Sequence, residues 1–154
     1  MNLSKNLTLH EMTRSETAKR KGIDNTPTAE EIDNMKILAE KIFQPIRDHF
    51  GVPIHISSGY RSKKLNKAIG GSSTSQHCKG EAIDIDMDNS DSGITNVQVF
   101  KYIKENLFFD QLIWEFGNNT NPSWVHVSYN TSGNQRGHII KAVKGTFGTK
   151  YVPM

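Results

Sequence analysis

The segment Ser75-Gln76-His77-Cys78-Lys79-Gly80-Glu81-Ala82-Ile83-Asp84 constrains the fold more than any other part of the chain. A polar, turn-rich loop passes through Gly80 directly into Glu81 to Met87, an alternating stretch that reads as a β-strand. Strand side chains alternate, so Ile83, Ile85 and Met87 share one face and Ala82, Asp84 and Asp86 the other. A later strand, Trp124 to Tyr129, sorts Val125 and Val127 to one side and Trp124, His126 and Ser128 to the other. If both aliphatic faces pack on one core, Asp84 and His126 emerge together on the opposite side of a sheet. His77 lies in the loop just before the strand, free to fold over that side. Gly80 allows the tight turn, and Ala82 leaves space beside Asp84. Two histidines and a carboxylate are a set that zinc accepts, and catalytic zinc keeps a fourth position for water. The same residues also fit a hydrogen-bonded strand histidine and a turn-capping aspartate, and periodicity alone does not choose between the two.

The remaining elements follow from caps and periodicity. Thr8 with Glu11 has capping-box spacing and predicts a short helix ending near Gly22. Thr28 with Glu31 opens a stronger one, in which Ile32, Met35, Leu38, Ala39, Ile42, Phe43, Ile46 and Phe50 form an apolar stripe. Pro45 falls inside that stripe and predicts a kink or break. A strand at Ile54 to Ser57, a short helix from Arg61 to Ile69 closed by Gly70-Gly71, and a helix from Val97 to Leu107 come next. Strands at Gln111 to Phe116, Trp124 to Tyr129 and Gly137 to Val143 then run consecutively. Helices early and strands late predict one α+β domain spanning 1–154, with a largely antiparallel sheet and helices on one face.

Composition narrows the functional classes. With 154 residues, 35% hydrophobic and 23% charged, the chain is an ordinary globular protein with enough length for a core. No apolar run approaches the roughly 18 residues that span a bilayer, and Met1 to Thr8 lacks the apolar stretch of a secretory signal. Synthesis in the cytoplasm is therefore expected, with any external target reached by another route, and a monomer is expected. The net charge of +3 favours polyanions in general. Outside Arg14, Lys19, Arg20 and Lys21 the basic residues are scattered, with no aromatic-interleaved basic stripe, which argues against nucleic acid.

Other candidate ligands drop out. His10, His49, His55 and His138 have no partners at ligand spacing. Asp84, Asp86, Asp88 and Asp91 hint at calcium, but a loop counted from Asp88 has Val99 at its twelfth position where glutamate belongs. Cys78, the single cysteine, excludes an internal disulfide and adjoins His77 too closely for both to reach one metal. It reads as a bystander thiol.

The ten residues from Ser75 to Asp84 have the form S-x-H-x-x-G-x-A-x-D, which resembles the signature of the M15 zinc peptidases, the D-Ala-D-Ala carboxypeptidase and dipeptidase family. Ser57-Ser58-Gly59-Tyr60-Arg61-Ser62 resembles the arginine-bearing turn upstream of it in that family. The resemblance runs from about Leu7 to Val143. It implies the Hedgehog/DD-peptidase fold, with one zinc per chain held by His77, Asp84 and His126. Members include bacterial wall-remodelling enzymes, vancomycin-resistance dipeptidases and phage endolysins. That implies a zinc metallopeptidase hydrolysing amide bonds in peptidoglycan stem peptides, as a D-Ala-D-Ala carboxypeptidase or an endolysin-type endopeptidase. A compact chain without a signal resembles phage lysis enzymes, which reach the wall after membrane permeabilisation.

One departure shifts the expected base. Several members carry an acid three residues before the last histidine, where this chain has Ser123. Glu115, at the end of the preceding strand, resembles the glutamate poised beside the zinc in Hedgehog domains and is expected to act as the general base. Arg61 is expected to grip a substrate carboxylate through its planar fork, Ser75 to bond substrate or hold its loop, and Trp124 to wall the cleft. The alternative left open by Ser123 is a non-catalytic, zinc-stabilised binding module. A zinc amidase acting on another substrate would use the same residues.

Overall fold

The computed structural model describes all 154 residues, Met1–Met154. Strands β1 (Asn2–Ser4) and β2 (Leu7–Thr8) form a small antiparallel pair. The Thr8 capping box is made, its side chain accepting from Glu11 N–H, and it opens α1 (Leu9–Thr13). The single helix expected up to Gly22 is instead two. Arg14 turns extended (φ −64°, ψ 139°) and Ser15 caps α2 (Glu16–Lys21), which ends at Gly22 in the left-handed region. Serine competes for local backbone bonds and favours a cap over a helix interior, and that competition splits the segment.

The Thr28 capping box opens α3 (Ala29–Leu38). No break follows at Pro45. A π-helical turn over Ala39–Phe43 leads into α4 (Gln44–Phe50), with Pro45 in its first turn, and Gln44 N–H bonds the Ala39 carbonyl. A widened turn is a recognised way to carry a helix past a residue that lacks an N–H. It keeps Leu38, Ala39, Ile42, Phe43 and Ile46 on one buried stripe. Gly51 closes α4 in the left-handed region.

The main sheet has six strands: β3 (Ile56–Ser58), β4 (Ala82–Ile85), β5 (Gln111–Glu115), β6 (Trp124–Ser128), β7 (His138–Gly145) and β8 (Gly148–Pro153). Their spatial order is β3-β4-β6-β5-β7-β8. Between the strands run α5 (Lys63–Ala68), a 3-10 turn at Gln76–Lys79, and α6 (Asn96–Asn106). The sheet is largely antiparallel, as expected, and one parallel pair makes it mixed: β5 and β7 pair in parallel, Gln111 with His138 through Glu115 with Ala142. The chain leaves β6 and crosses the end of β5 to reach its far edge. Polar anchors hold that crossing. Glu81 accepts from Thr131 N–H and Oγ at 2.7 and 2.8 Å, and the Asp110 carboxylate accepts from Arg136 Nε and Nη2, each at 2.9 Å.

One apolar cluster joins helices to sheet. Met35, Leu38, Ile42, Phe43 and Ile46 from α3 through α4, with Val99, Phe100 and Ile103 from α6, pack with Ile83, Ile85, Leu112, Trp114, Val125 and Val127 of the sheet. Each such side chain contributes roughly 1.5–3 kcal/mol on burial. The aliphatic face of the central strands thus lies under the helices, and the alternate residues are left for the other face.

Candidate metal centre

Three elements bring the expected ligands together. Asp84 on β4 is the register partner of His126 on β6, and on its other side it pairs with Ser58 of β3 across an irregularity in register. His77 sits on the 3-10 turn, whose first N–H groups are capped by Ser75, its Oγ accepting from His77 N–H at 3.3 Å. The turn ends on Gly80 at φ +75°, where a Cβ would lie 2.6 Å from the Glu31 carbonyl oxygen. Only glycine allows the loop to enter β4 there.

The segment resembling the family's arginine turn is fastened to His77 twice. His77 Nδ1 lies 2.7 Å from the Gly59 carbonyl oxygen, and Arg61 N–H donates to the His77 carbonyl at 3.2 Å. A carbonyl only accepts, so Nδ1 carries the proton and Nε2 of the neutral ring is a lone pair. That lone pair faces the carboxylate, 3.3 Å from Asp84 Oδ1. His126 Nδ1 lies 3.0 Å from the same oxygen. Burial holds the His77 pKa below its ordinary value, against the opposing pull of Asp84. Burial alone would raise Asp84; without an ion, protonated forms of His77 and His126 would outweigh it and hold the carboxyl far below the usual range. A bound cation would supply the same positive charge with both rings neutral. Two acceptors meeting in a buried site need a cation between them. All three ligand atoms lie within 4.8 Å of one another, and tetrahedral zinc bonds of about 2.0–2.2 Å set neighbouring ligand atoms roughly 3.3–3.6 Å apart. The donor set fits a metal ion.

Around the ligands lies an open cleft of about 710 Å³, lined by Arg61, Ser75, Glu115, Phe116, Trp124 and Tyr151 among others. Arg61 is at its edge with the fork turned inward: Nε donates to Ser58 Oγ at 3.0 Å, Nη1 to Asn66 Oδ1 at 3.3 Å and Nη2 to Asp84 Oδ2 at 3.4 Å. Ser75 lines the cleft while capping the His77 turn. Trp124 is half-buried, its ring 5.5 Å from that of Phe116. Glu115 ends β5 opposite Trp124, on the face that bears His126, since Ile113 is the partner of His126. The chain's ion pairs engage Asp84 and Asp110 and leave Glu115 out. Burial first, and then the Asp84 charge, push the Glu115 carboxyl up to about 7.

Two supporting residues carry no periodic signal in the sequence. Gly59 approaches Met12 so closely that a Cβ would lie 2.5 Å from its carbonyl oxygen. Asn66, buried on α5, links Arg61 to the Ser72 carbonyl, to which its Nδ2 donates at 2.8 Å. Gly59 acts through a contact distant in sequence, and Asn66 through loop contacts five and six residues away that follow no regular period.

An α+β protein with a buried His-Asp-His set beside an unpaired carboxyl in an open cleft has the equipment of a metal-dependent hydrolase. The family model described as Peptidase M15 matches residues 5–128. The chain belongs to the peptidase M15 family, whose members are typically zinc-dependent. No curated protein matches the chain.

Proposed function

We propose that this protein is a zinc-dependent peptidase of the Hedgehog/DD-peptidase fold that hydrolyses amide bonds in peptidoglycan stem peptides. The observation that carries the reading is the His77 lone pair aimed at the Asp84 carboxylate in a buried site, an arrangement that calls for a cation. His77 through Nε2, Asp84 through Oδ1 and His126 through Nδ1 would hold the ion. Zinc held in such a site lowers the pKa of water toward 7 and polarises a carbonyl as a Lewis acid.

The protein's own groups do the rest. Glu115, with a pKa near 7, takes a proton from the attacking water as its oxygen bonds the amide carbon. It returns that proton to the nitrogen as the C–N bond breaks, leaving one carboxylic acid and one amine. Arg61 holds Asp84 in position through Oδ2, and Gly59 fixes the His77 tautomer; partners of this kind orient metal ligands. Trp124 and Phe116 wall the cleft beside Glu115. Ser123, where several family members have an acid, donates its backbone N–H to the Glu115 carbonyl at 2.9 Å and supports the strand end instead. A site of this kind acts on the wall once the protein has reached it.

Incubating the zinc-loaded protein with purified peptidoglycan and weighing the released fragments by mass spectrometry tests the reading. Fragment masses would identify the bond cut, whether the terminal D-Ala-D-Ala, the L-Ala-D-Glu bond or a cross-bridge. Intact stems with the wild type would refute this substrate and favour the non-catalytic, zinc-stabilised module. Full activity in Glu115→Gln would refute the base.

A further inference from the structure

Residues 129–154 lie outside the segment that matches the family, yet they build one wall of the cleft. Glu115 pairs with Trp124 on one side and Ala142 on the other, and Ala142 pairs with Tyr151. Trp124, Glu115, Ala142 and Tyr151 therefore stand in one rank across four strands and project to one face. His126 and Ile113 form the adjacent rank on that face. Ala142 is fully buried and ends at its methyl, so the residues that reach the cleft from this rank are Trp124, Glu115 and Tyr151.

Tyr151 lines the metal cleft and is 55% exposed, so its hydroxyl is within reach of a molecule bound there. The side-chain hydrogen bonds made from β7, Gln111 with His138 and Lys141 with Asn119, do not engage that hydroxyl. Arg61 has committed Nε, Nη1 and Nη2 to Ser58, Asn66 and Asp84. Burial, then the Glu115 and Asp84 charges, raise the phenol pKa, so it remains a donor at neutral pH.

Resting on the peptidase reading above, we propose that Tyr151 is a further catalytic residue, whose phenol O–H donates a hydrogen bond to the oxygen of the scissile amide as that carbon becomes tetrahedral. The phenol keeps its proton throughout, and Glu115 alone moves one. The role belongs to a strand beyond the matched family segment, so it is a property of this chain's own C-terminal hairpin.

Tyr151→Phe removes the hydroxyl and keeps the ring. The zinc-loaded wild type and this variant are compared by steady-state kinetics on a synthetic stem pentapeptide. Calorimetry gives their affinities for zinc and for the same peptide carrying a phosphinate at the cleaved bond, whose tetrahedral oxygens imitate the reacting carbon. The expected result is a kcat lower by about 10- to 100-fold with KM within about threefold. Phosphinate affinity should weaken by a similar factor while zinc affinity stays unchanged. A kcat within about twofold of wild type, a loss confined to KM, or a parallel loss of zinc affinity each overturns the role. A wild type that holds zinc but neither cleaves the pentapeptide nor binds the phosphinate refutes the peptidase reading and this role together. Cleavage by the wild type with an indifferent Tyr151→Phe refutes Tyr151 alone.

Discussion

Glu115 illustrates how a single buried carboxyl reports on the site without any substrate. Its folded pKa of about 7 lies above the ordinary 4.5, so the metal-free folded chain binds its proton more tightly than the unfolded chain does. The stabilisation is complete below about pH 4.5 and is lost as pH rises through 7. His77, whose pKa burial lowers, acts in the opposite sense where it titrates, so the Glu115 contribution is read by difference. Chemical denaturation of the metal-free protein should show the stability of the wild type relative to Glu115→Gln falling as pH rises from about 4.5 to 7. The same substitution should lower kcat by about 10²–10⁴, as loss of a positioned acid–base group does. Arg61 makes a different prediction, because its guanidinium meets the side of Asp84 that faces away from the histidines. Arg61→Ala should weaken zinc binding by about 10- to 100-fold in a competition titration, whereas a residue that only grips substrate would leave zinc affinity untouched. That Asp84 and His126 share a face was legible in the sequence from strand alternation, whereas the set with His77 came from the resemblance to the family's signature. The direction of Arg61 was not legible, since it depends on Ser58 and Asn66 meeting it in three dimensions.

Among the elements, α6 is tied through Asn96 to the segments flanking the ligand strands. Asn96 is fully buried; its Oδ1 accepts from Met87 N–H at 2.7 Å, and its Nδ2 donates to the carbonyls of Pro122 and Ser123 at 3.1 and 3.0 Å. It thereby joins the ends of β4 and β6 just beyond the ligands. Asn96→Ala would leave these backbone groups without partners and should cost about 2–4 kcal/mol in denaturant unfolding. The caps at Thr8 and Thr28 were readable because a capping box is a local pattern. β8 was not, because Gly148–Pro153 is exposed almost throughout and has no buried alternation to betray it. The parallel pairing of β7 with β5 was equally hidden. It depends on the Asp110–Arg136 and Glu81–Thr131 contacts, which join residues distant in sequence, while the sequence shows only three consecutive strands.

At the scale of the whole molecule, the sheet divides the protein into a packed side and a chemical side. The 23-residue apolar cluster anchors β4, β5 and β6 from the helical side, so the ligands on the reverse are carried by a rigid support. Zinc bound only by the folded state should stabilise it by mass action, by about 4 kcal/mol at a thousandfold excess over Kd. For a chain of this size that is a rise in Tm of roughly 8–16 °C, reversed by a chelator. The most direct test of the account is a calorimetric titration of the metal-free protein with zinc, repeated on His77→Ala, Asp84→Asn and His126→Ala. One zinc per chain in the wild type, with affinity lowered by orders of magnitude in each variant, is the predicted result. Tight one-to-one binding that survives in any of the three variants would contradict it.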